Sequence, residues 1–382
     1  PAGVGPPRVR VFVPNDTAAR SVGADAVASA IEALGLNIDV VRSGSRGAYW
    51  LEPLVEIETA IGDVESRVGF ANITAEQVAA LFADGQMPSG AHPLSVGLVH
   101  EIPWLRDQHR LTFRRAGVID PLSLSDYRLH GGMAGLEQAL TMTAQAIVDE
   151  VKTSGLRGRG GAAFPAGIKW QTVLNAESAT KYIVCNADEG DSGTFADRLL
   201  MEADPFQLVE GMVIAGLAVG ATRGFYYLRS DYPHTIHVMT RALQIARDAG
   251  LLGPSVMGSP HAFEIALRSR AYSSHTWNIA EYLALFLIVL LHEYGHALAC
   301  RQTGGTADEI ILWPLGGVAF VRPPPRPGAE LWSIAAGPLV NVVLVPVIAG
   351  LIWARTGVGW GADSADYRQF LQALFWINAG LL

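Results

Sequence analysis

Apolar and polar positions are patterned differently in the two parts of the chain. Up to about residue 270 the apolar runs are short. Arg8–Pro14 (RVRVFVP) alternates like a strand, and Asn37–Val41 reads as a second. Between them Ala18–Leu34 has helical spacing and is closed by Gly35, a helix-stop signal. Leu54–Thr59 and Glu65–Phe70 predict a hairpin, and Ala75–Ala83 a short helix closed by Gly85. This β-α-β-hairpin order suits a small sandwich of thioredoxin type. Gly90–Pro121, interrupted by Pro93, Pro103 and Pro121, reads as a linker or arm. Helical spacing returns over Leu136–Ser154, and Tyr182–Cys185 reads as a buried strand. Asp204-Pro205 predicts a helix start, Asp as cap and Pro in the first turn, running to about Val219. Gly224–Leu228 predicts another strand and Pro233–Ala249 another helix, with Gly250 just past its end. Strands alternating with helices imply a mixed or parallel sheet.

Beyond residue 270 the texture changes. Tyr282–Leu291 is unbroken apolar sequence, resumed at Ala297–Cys300. Ile334–Ala354 contains no charged residue, and as a helix it would be about 31 Å long, the thickness of a bilayer's hydrocarbon core. A third apolar stretch occupies Phe370–Leu382, and the stiff segment Pro323–Pro327 (PPPRP) joins apolar parts. The pattern predicts α/β domains followed by an all-α transmembrane segment of two to three helices. Arg268 and Arg270, just before the first apolar span, point to a cytoplasmic front part of a multi-pass membrane protein.

Composition narrows the function classes. The 382 residues suffice for two or three domains. With 28 Lys+Arg against 36 Asp+Glu, the chain lacks the basic balance of a nucleic-acid binder. Two cysteines, Cys185 and Cys300, exclude a disulfide framework and any iron–sulfur cluster held by this chain's cysteines alone. Because the first residue is Pro1 rather than Met, a natural start upstream is expected, and no basic-then-apolar leader opens the sequence.

Two motifs in the front part carry chemistry. Gly155–Trp170 (GLRGRGGAAFPAGIKW) combines glycines that admit close backbone approach with Arg159 and Lys169 for a phosphate and Phe164 for stacking a ring. A plain turn is the alternative, and the usual dinucleotide fingerprint directly after a strand is absent. Cys185–Thr194 (CNADEGDSGT) gathers Asp188, Glu189 and Asp191 at a strand end, where α/β folds place ligands. Sugar hydroxyls would suit these carboxylates; a solvated acidic turn is the alternative. Cys185 reads as a small buried residue rather than a nucleophile.

Together with YIVCNADEGDSGTFADR (Tyr182–Arg198) and DPFQLVEGMVIAG (Asp204–Gly216), the glycine loop strongly resembles the flavin- and NADH-binding subunit of respiratory complex I. It looks closest to the beta subunit of soluble NAD-dependent formate dehydrogenases. The resemblance covers roughly residues 8–266 and implies a thioredoxin-like domain followed by part of a flavin-binding α/β domain. It implies FMN held around Gly158, Arg159, Gly160, Gly161 and Lys169 and by Asn186 and Asp188. Nicotinamide would stack near Phe164, with Glu189 and Asp191 near the dinucleotide. NADH would then reduce the flavin, which passes electrons to iron–sulfur partner subunits of a dehydrogenase complex. The family's Gly-Glu-Glu-Thr turn and four-cysteine motif do not occur here, nor do the front-domain cysteines of related subunits.

In the apolar part, Leu291–Ala297 (LHEYGHA) contains H-E-x-x-H. On a helix His292 and His296 share a face and can hold one Zn2+, while Glu293 can serve as general base. Ionisable groups inside an apolar span are costly and mark function. Asn341 either hydrogen-bonds a substrate backbone or holds another helix. His234 and His237, three apart on a helix, read as surface residues.

HEYGH, with WPLGGVA (Trp313–Ala319) and AGPLVN (Ala336–Asn341), strongly resembles the site-2 protease family of intramembrane zinc metalloproteases over roughly residues 268–382. That implies zinc-dependent cleavage of a transmembrane peptide in a lipid bilayer. The third ligand would be an aspartate of a Leu-Asp-Gly motif on the next helix, which is expected just past Leu382. Two protein ligands hold zinc less tightly than the usual three.

The resulting expectation is a composite of two truncated families meeting near residues 266–271: a thioredoxin-like domain at 1–90, a linker at 91–135, a partial FMN/NADH domain at 136–267 and a truncated protease domain at 268–382. By resemblance the activities are NADH dehydrogenase and zinc metalloendopeptidase. A membrane-tethered module with both sites inactive is the alternative. A gene fusion, a recombined reading frame or an assembly error would each produce such a chain.

Overall fold

The computed structural model describes residues 8–60, 63, 66–88, 90–159, 162–189, 194–269, 275–313, 316–354 and 365–380. The chain divides into two compact units, residues 1–269 and 270–382.

The first unit opens with β1 (Val9–Phe12). The Asp16 carboxylate then accepts from Ala18 N and Ala19 N at 3.2 and 3.4 Å and starts α1 (Thr17–Ser21). The single helix expected over 18–34 breaks at Gly23, whose φ of +103° suits glycine, and restarts as α2 (Ala24–Ala33). Ala24, Val27, Ala28 and Ile31, spaced three and four apart, form its buried stripe. β2 (Ile38–Val41) runs parallel to β1, β3 (Val55–Glu58) antiparallel to it, and β4 (Arg67–Phe70) forms a hairpin with β3. After α3 (Ala75–Leu81) comes β5 (Ser95–Leu98), which completes a sheet ordered β2-β1-β3-β4-β5.

The segment expected as a linker or arm is packed. It supplies β5 and the short α4 (Pro103–Arg106), and buries Val99, Leu105, Ala116 and Ile119. Fully buried Arg67 donates to Gly117 O at 3.2 Å and Val118 O at 2.8 Å, tying the segment to the sheet.

α5 (Leu124–Leu129), α6 (Ala134–Ala139) and α7 (Ala144–Thr153) follow. The helix expected over 136–154 breaks because Thr143 caps a new one, its hydroxyl accepting from Ala146 N at 3.2 Å. Next come α8 (Ala166–Asn175), β6 (Tyr182–Ala187), α9 (Ala196–Ala203), α10 (Pro205–Val219), β7 (Arg223–Leu228), α11 (Pro233–Asp248) and β8 (Glu264–Ser269). The three strands make a parallel sheet ordered β6-β7-β8.

α10 is apolar nearly all round and sits in the middle of this core. Its one buried acid, Glu210, accepts from Met133 N and Leu136 N, each at 2.9 Å, and from Tyr127 Oη at 2.5 Å, so it caps α6 from across the core. Two expectations need correction. β6 is not a buried strand, since Tyr182 and Val184 lie exposed on one face. Asp204 makes no side-chain cap; it pairs with Arg115 at 2.8 Å.

The second unit is built on α12 (His275–Gln302), the strands β9 (Thr306–Trp313) and β10 (Gly316–Arg322), α13 (Pro327–Ala354) and α14 (Ala365–Gly380). Gly304, at φ +84°, ends α12. β9 and β10 pair antiparallel, so the unit is not all-α as expected. Ile279–Gln302 and Pro327–Leu351 are long and apolar enough to cross a membrane.

Two candidate functional sites

The glycine loop folds back on itself. Gly158 N donates to Phe164 O at 2.9 Å, Ala166 N to Leu156 O at 2.8 Å, and the Arg157 guanidinium to Ala163 O at 3.0 Å. Phe164 is 46% exposed, and Lys169 Nζ lies 5.7 Å from its ring centroid. No carboxylate pairs with Lys169 among the described residues. Arg159, by contrast, turns its guanidinium onto Arg157 O at 2.6 Å and Gly158 O at 3.4 Å. Gly167 lets α8 approach α7: a Cβ there would fall 2.8 Å from Lys152 N. Gly160 and Gly161 lie outside the described residues.

At the C-terminal end of β6, Asn186 and Asp188 are exposed, and Asp188 N donates to Asn186 Oδ1 at 3.1 Å. Glu189 behaves differently. It is 6% exposed and accepts from Asp197 N at 3.0 Å, Arg198 N at 3.3 Å and the Tyr232 hydroxyl at 3.4 Å. Its carboxylate caps α9, an arrangement favoured at a helix N-terminus. Asp191 lies outside the described residues. Burial, helped by the Asp197 charge, pushes the Cys185 thiol up to about 11, so it stays protonated at neutral pH. Arg229 donates to Glu189 O at 2.5 Å and pairs with Asp231 at 2.6 Å. Sequence reasoning missed Arg229, although its place just past β7 is where α/β sheets gather ligand contacts.

In the second unit α12 presents His292, Glu293 and His296 on adjacent turns. The two Nε2 atoms lie 3.2 Å apart. Two nitrogens bound tetrahedrally to one zinc at about 2.0–2.1 Å would be about 3.3 Å apart, so the pair fits a zinc ion. Each ring is anchored through its other nitrogen: His292 Nδ1 to Asn341 Oδ1 at 2.5 Å, and His296 Nδ1 to Ser333 O at 2.6 Å. Such outer contacts orient metal-ligating histidines. Asn341 Nδ2 donates to Asn378 Oδ1 on α14 at 2.7 Å, so Asn341 does hold another helix, as one of its two readings had it.

Close helix packing makes room for the pair. A Cβ on Gly337 would fall 2.2 Å from His296 Nε2, and one on Gly295 2.7 Å from Ala336 O. Ala319 N on β10 donates to Glu293 Oε2 at 2.7 Å. Pro314 and Leu315 lie outside the described residues. Among the described residues no third His, Cys, Asp or Glu completes a metal-binding group. Asn378 was missed, although a second asparagine in an apolar helix was a readable signal. His234, expected at the surface, is half-buried, with its Nδ1 2.6 Å from Arg20 Nη1.

Comparison with known proteins separates the same two parts. Residues 151–276 match the Nuo51 FMN-binding domain, and residues 280–379 match peptidase family M50. The NADP-reducing hydrogenase subunit HndC of Solidesulfovibrio fructosivorans is 50% identical over 163 residues, 43% of this chain and 33% of that protein. The F subunit of the NADH-quinone oxidoreductase of Escherichia coli (strain K12) is 42% identical over 167 residues, 43% of this chain and 38% of that protein. An NAD+-reducing NiFe hydrogenase of solved structure, in the air-oxidised state, aligns at 25% identity with a TM-score of 0.32, covering 69% of this chain and 43% of its own. The chain thus spans about a third of the length of the curated relatives it matches. With the matches ending and beginning within residues 276–280, the chain is a composite of two families, similar first to the Nuo51 FMN-binding domain and then to peptidase family M50.

Proposed function

We propose that the second unit is a zinc-dependent intramembrane peptidase centre. The observation that carries this reading is the convergence of His292 Nε2 and His296 Nε2 at 3.2 Å, with both Nδ1 atoms anchored. His292 and His296 would hold the ion, which when bound supplies Lewis acidity toward water and a peptide carbonyl. Glu293, oriented by the Ala319 N–H, takes a proton from the attacking water and returns it to the leaving amine. α12 and α13 cross the bilayer, so the substrate is a transmembrane peptide, with residues 1–267 on the cytoplasmic side. The test uses the full chain in detergent. Wild type should carry zinc, H292A and H296A should lose it, and E293Q should keep zinc but cleave no transmembrane test peptide. Equal zinc in wild type and H292A overturns the reading.

A second reading concerns the first unit. Exposed Phe164 and Lys169 on a glycine loop, together with Asn186 and Asp188 at a strand's C-terminal end, favour an FMN and NADH site. Lys169 would bind the phosphate, Phe164 would offer its face to a ring, and Asn186 and Asp188 would take sugar hydroxyls. FMN, when bound, would supply hydride acceptance from NADH and electron transfer to iron–sulfur partner subunits. Gly158, Gly160, Gly161, Arg159 and Asp191 belong to this proposal through the family resemblance, while Glu189 acts on it only through α9. The sheet β2-β1-β3-β4, with β3 antiparallel to its neighbours, supports the thioredoxin-like reading of the front domain. The finer assignment to a formate dehydrogenase assembly rests on the motif strings alone. Added FMN should bind the full chain and support NADH-dependent ferricyanide reduction. A protein that stays colourless and shows no such reduction, and cleaves no peptide, is instead a membrane-tethered binding module.

A further inference from the structure

We infer that Asn341 and Asn378 are positioning residues that set the protonation pattern of His292, making it a metal ligand before any metal arrives. The inference rests on the metal reading of His292 and His296. Its starting point is the backbone carbonyl of Asn341, which can only accept. Asn378 Nδ2 donates to it at 2.8 Å. The other end of the Asn378 amide, Oδ1, must then face Asn341 Nδ2, 2.7 Å away. That turns Asn341 Oδ1 toward His292 Nδ1 at 2.5 Å, and an amide oxygen there requires a proton on Nδ1. In the neutral imidazole the lone pair is then left on Nε2, the atom facing His296.

The opposite polarity is closed off. Flipping both amides would set Asn378 Oδ1 against Asn341 O, two acceptors at hydrogen-bond distance. Both asparagines are 0% exposed, so water cannot reconcile them. His296 reaches the same state by a shorter route, because Ser333 O also demands a proton on Nδ1. Two lone pairs thus converge, an arrangement that a cation relieves. The relay runs from α14 through α13 to α12, so the docking of α14 governs whether His292 is ready to bind.

The test measures zinc affinity of the full chain in detergent by competition with a chelator. N341A should bind zinc about 10–100-fold more weakly, the usual loss when an outer-shell partner is removed. N378A, which frees the Asn341 amide to turn, should fall between N341A and wild type, and N341A/N378A should bind no more weakly than N341A, because Asn378 acts only through Asn341. Wild-type affinity in N341A or in N378A overturns the relay, and so do additive losses in the double variant. If N341A does not fold, N378A carries the decision. Wild-type affinity in H292A fails the metal reading itself, an outcome distinct from failure of the relay.

Discussion

At the histidine pair, both Nδ1 atoms have a fixed partner, and the amides behind His292 are bonded in turn to a third helix. At the glycine loop, Lys169, Asn186 and Asp188 face solvent, and the loop's internal bonds use its own backbone. The difference follows from the surroundings. In an apolar helical unit a misdirected buried polar atom goes unsatisfied, so packing must supply fixed partners. At an exposed sheet edge solvent can satisfy such atoms, and no buried partner is needed to orient them. One set of side chains is fixed by buried partners, the other is left free to turn.

Four substitutions probe that contrast. The largest effect is expected at Glu210, where the first unit also carries buried wiring, though for its fold. E210A leaves the Tyr127 hydroxyl and the Met133 and Leu136 N–H groups without their acceptor, which should cost about 3–5 kcal/mol. Denaturant unfolding of the first unit reads the loss, and zinc content should not change. A parallel loss of zinc would erase the distinction between the units. Next is G337A, whose new methyl would collide with the His296 ring. Zinc affinity should fall on the order of a hundredfold, about 2.7 kcal/mol, in a chelator titration. An unchanged affinity would mean the pair is not pre-set.

Asp16 gives a pH signature. Burial and the nearby Glu202 charge push its carboxyl up to about 6, against about 3.9 in an unfolded chain. The folded state then holds more protons than the unfolded between those values, so wild-type stability falls as pH rises from about 4 to about 6. D16N, which keeps an oxygen for the α1 cap, should be more stable than wild type by up to about 3 kcal/mol at pH 7 and equal to it below pH 4. Thermal melting across that range checks both ends. The smallest effect is K169A, for which a flavin fluorescence titration should show about tenfold weaker FMN binding, or 1.4 kcal/mol. A much larger loss would show that the loop, too, is pre-organised.

The sequence was most readable where one element contains the whole signal. H-E-x-x-H declares itself because residues four apart share a helix face, and Ile334–Ala354 because a bilayer has a fixed thickness. Reading fell short where partners come from afar. The sequence groups Glu189 with Asp188 and Asp191, and α9, beginning at Ala196, folds back and takes its carboxylate as a cap. The prolines of 91–135 suggested a linker or arm, and Arg67 on β4 binds its carbonyls. The β9–β10 pair went unseen between two apolar helices, where hydropathy dominates the pattern.

Residue type and spacing alone were enough to specify an α/β part, an apolar helical part and two imidazoles on one helix face, because each of these is a property of neighbours within a few turns of chain. Which imidazole nitrogen carries the proton was settled elsewhere. Hydrogen bonds are directional, and the groups that orient His292 stand on other helices, 49 residues away at Asn341 and a further 37 at Asn378. No local pattern encodes that polarity. It exists only once three helices are packed closely enough to exclude water.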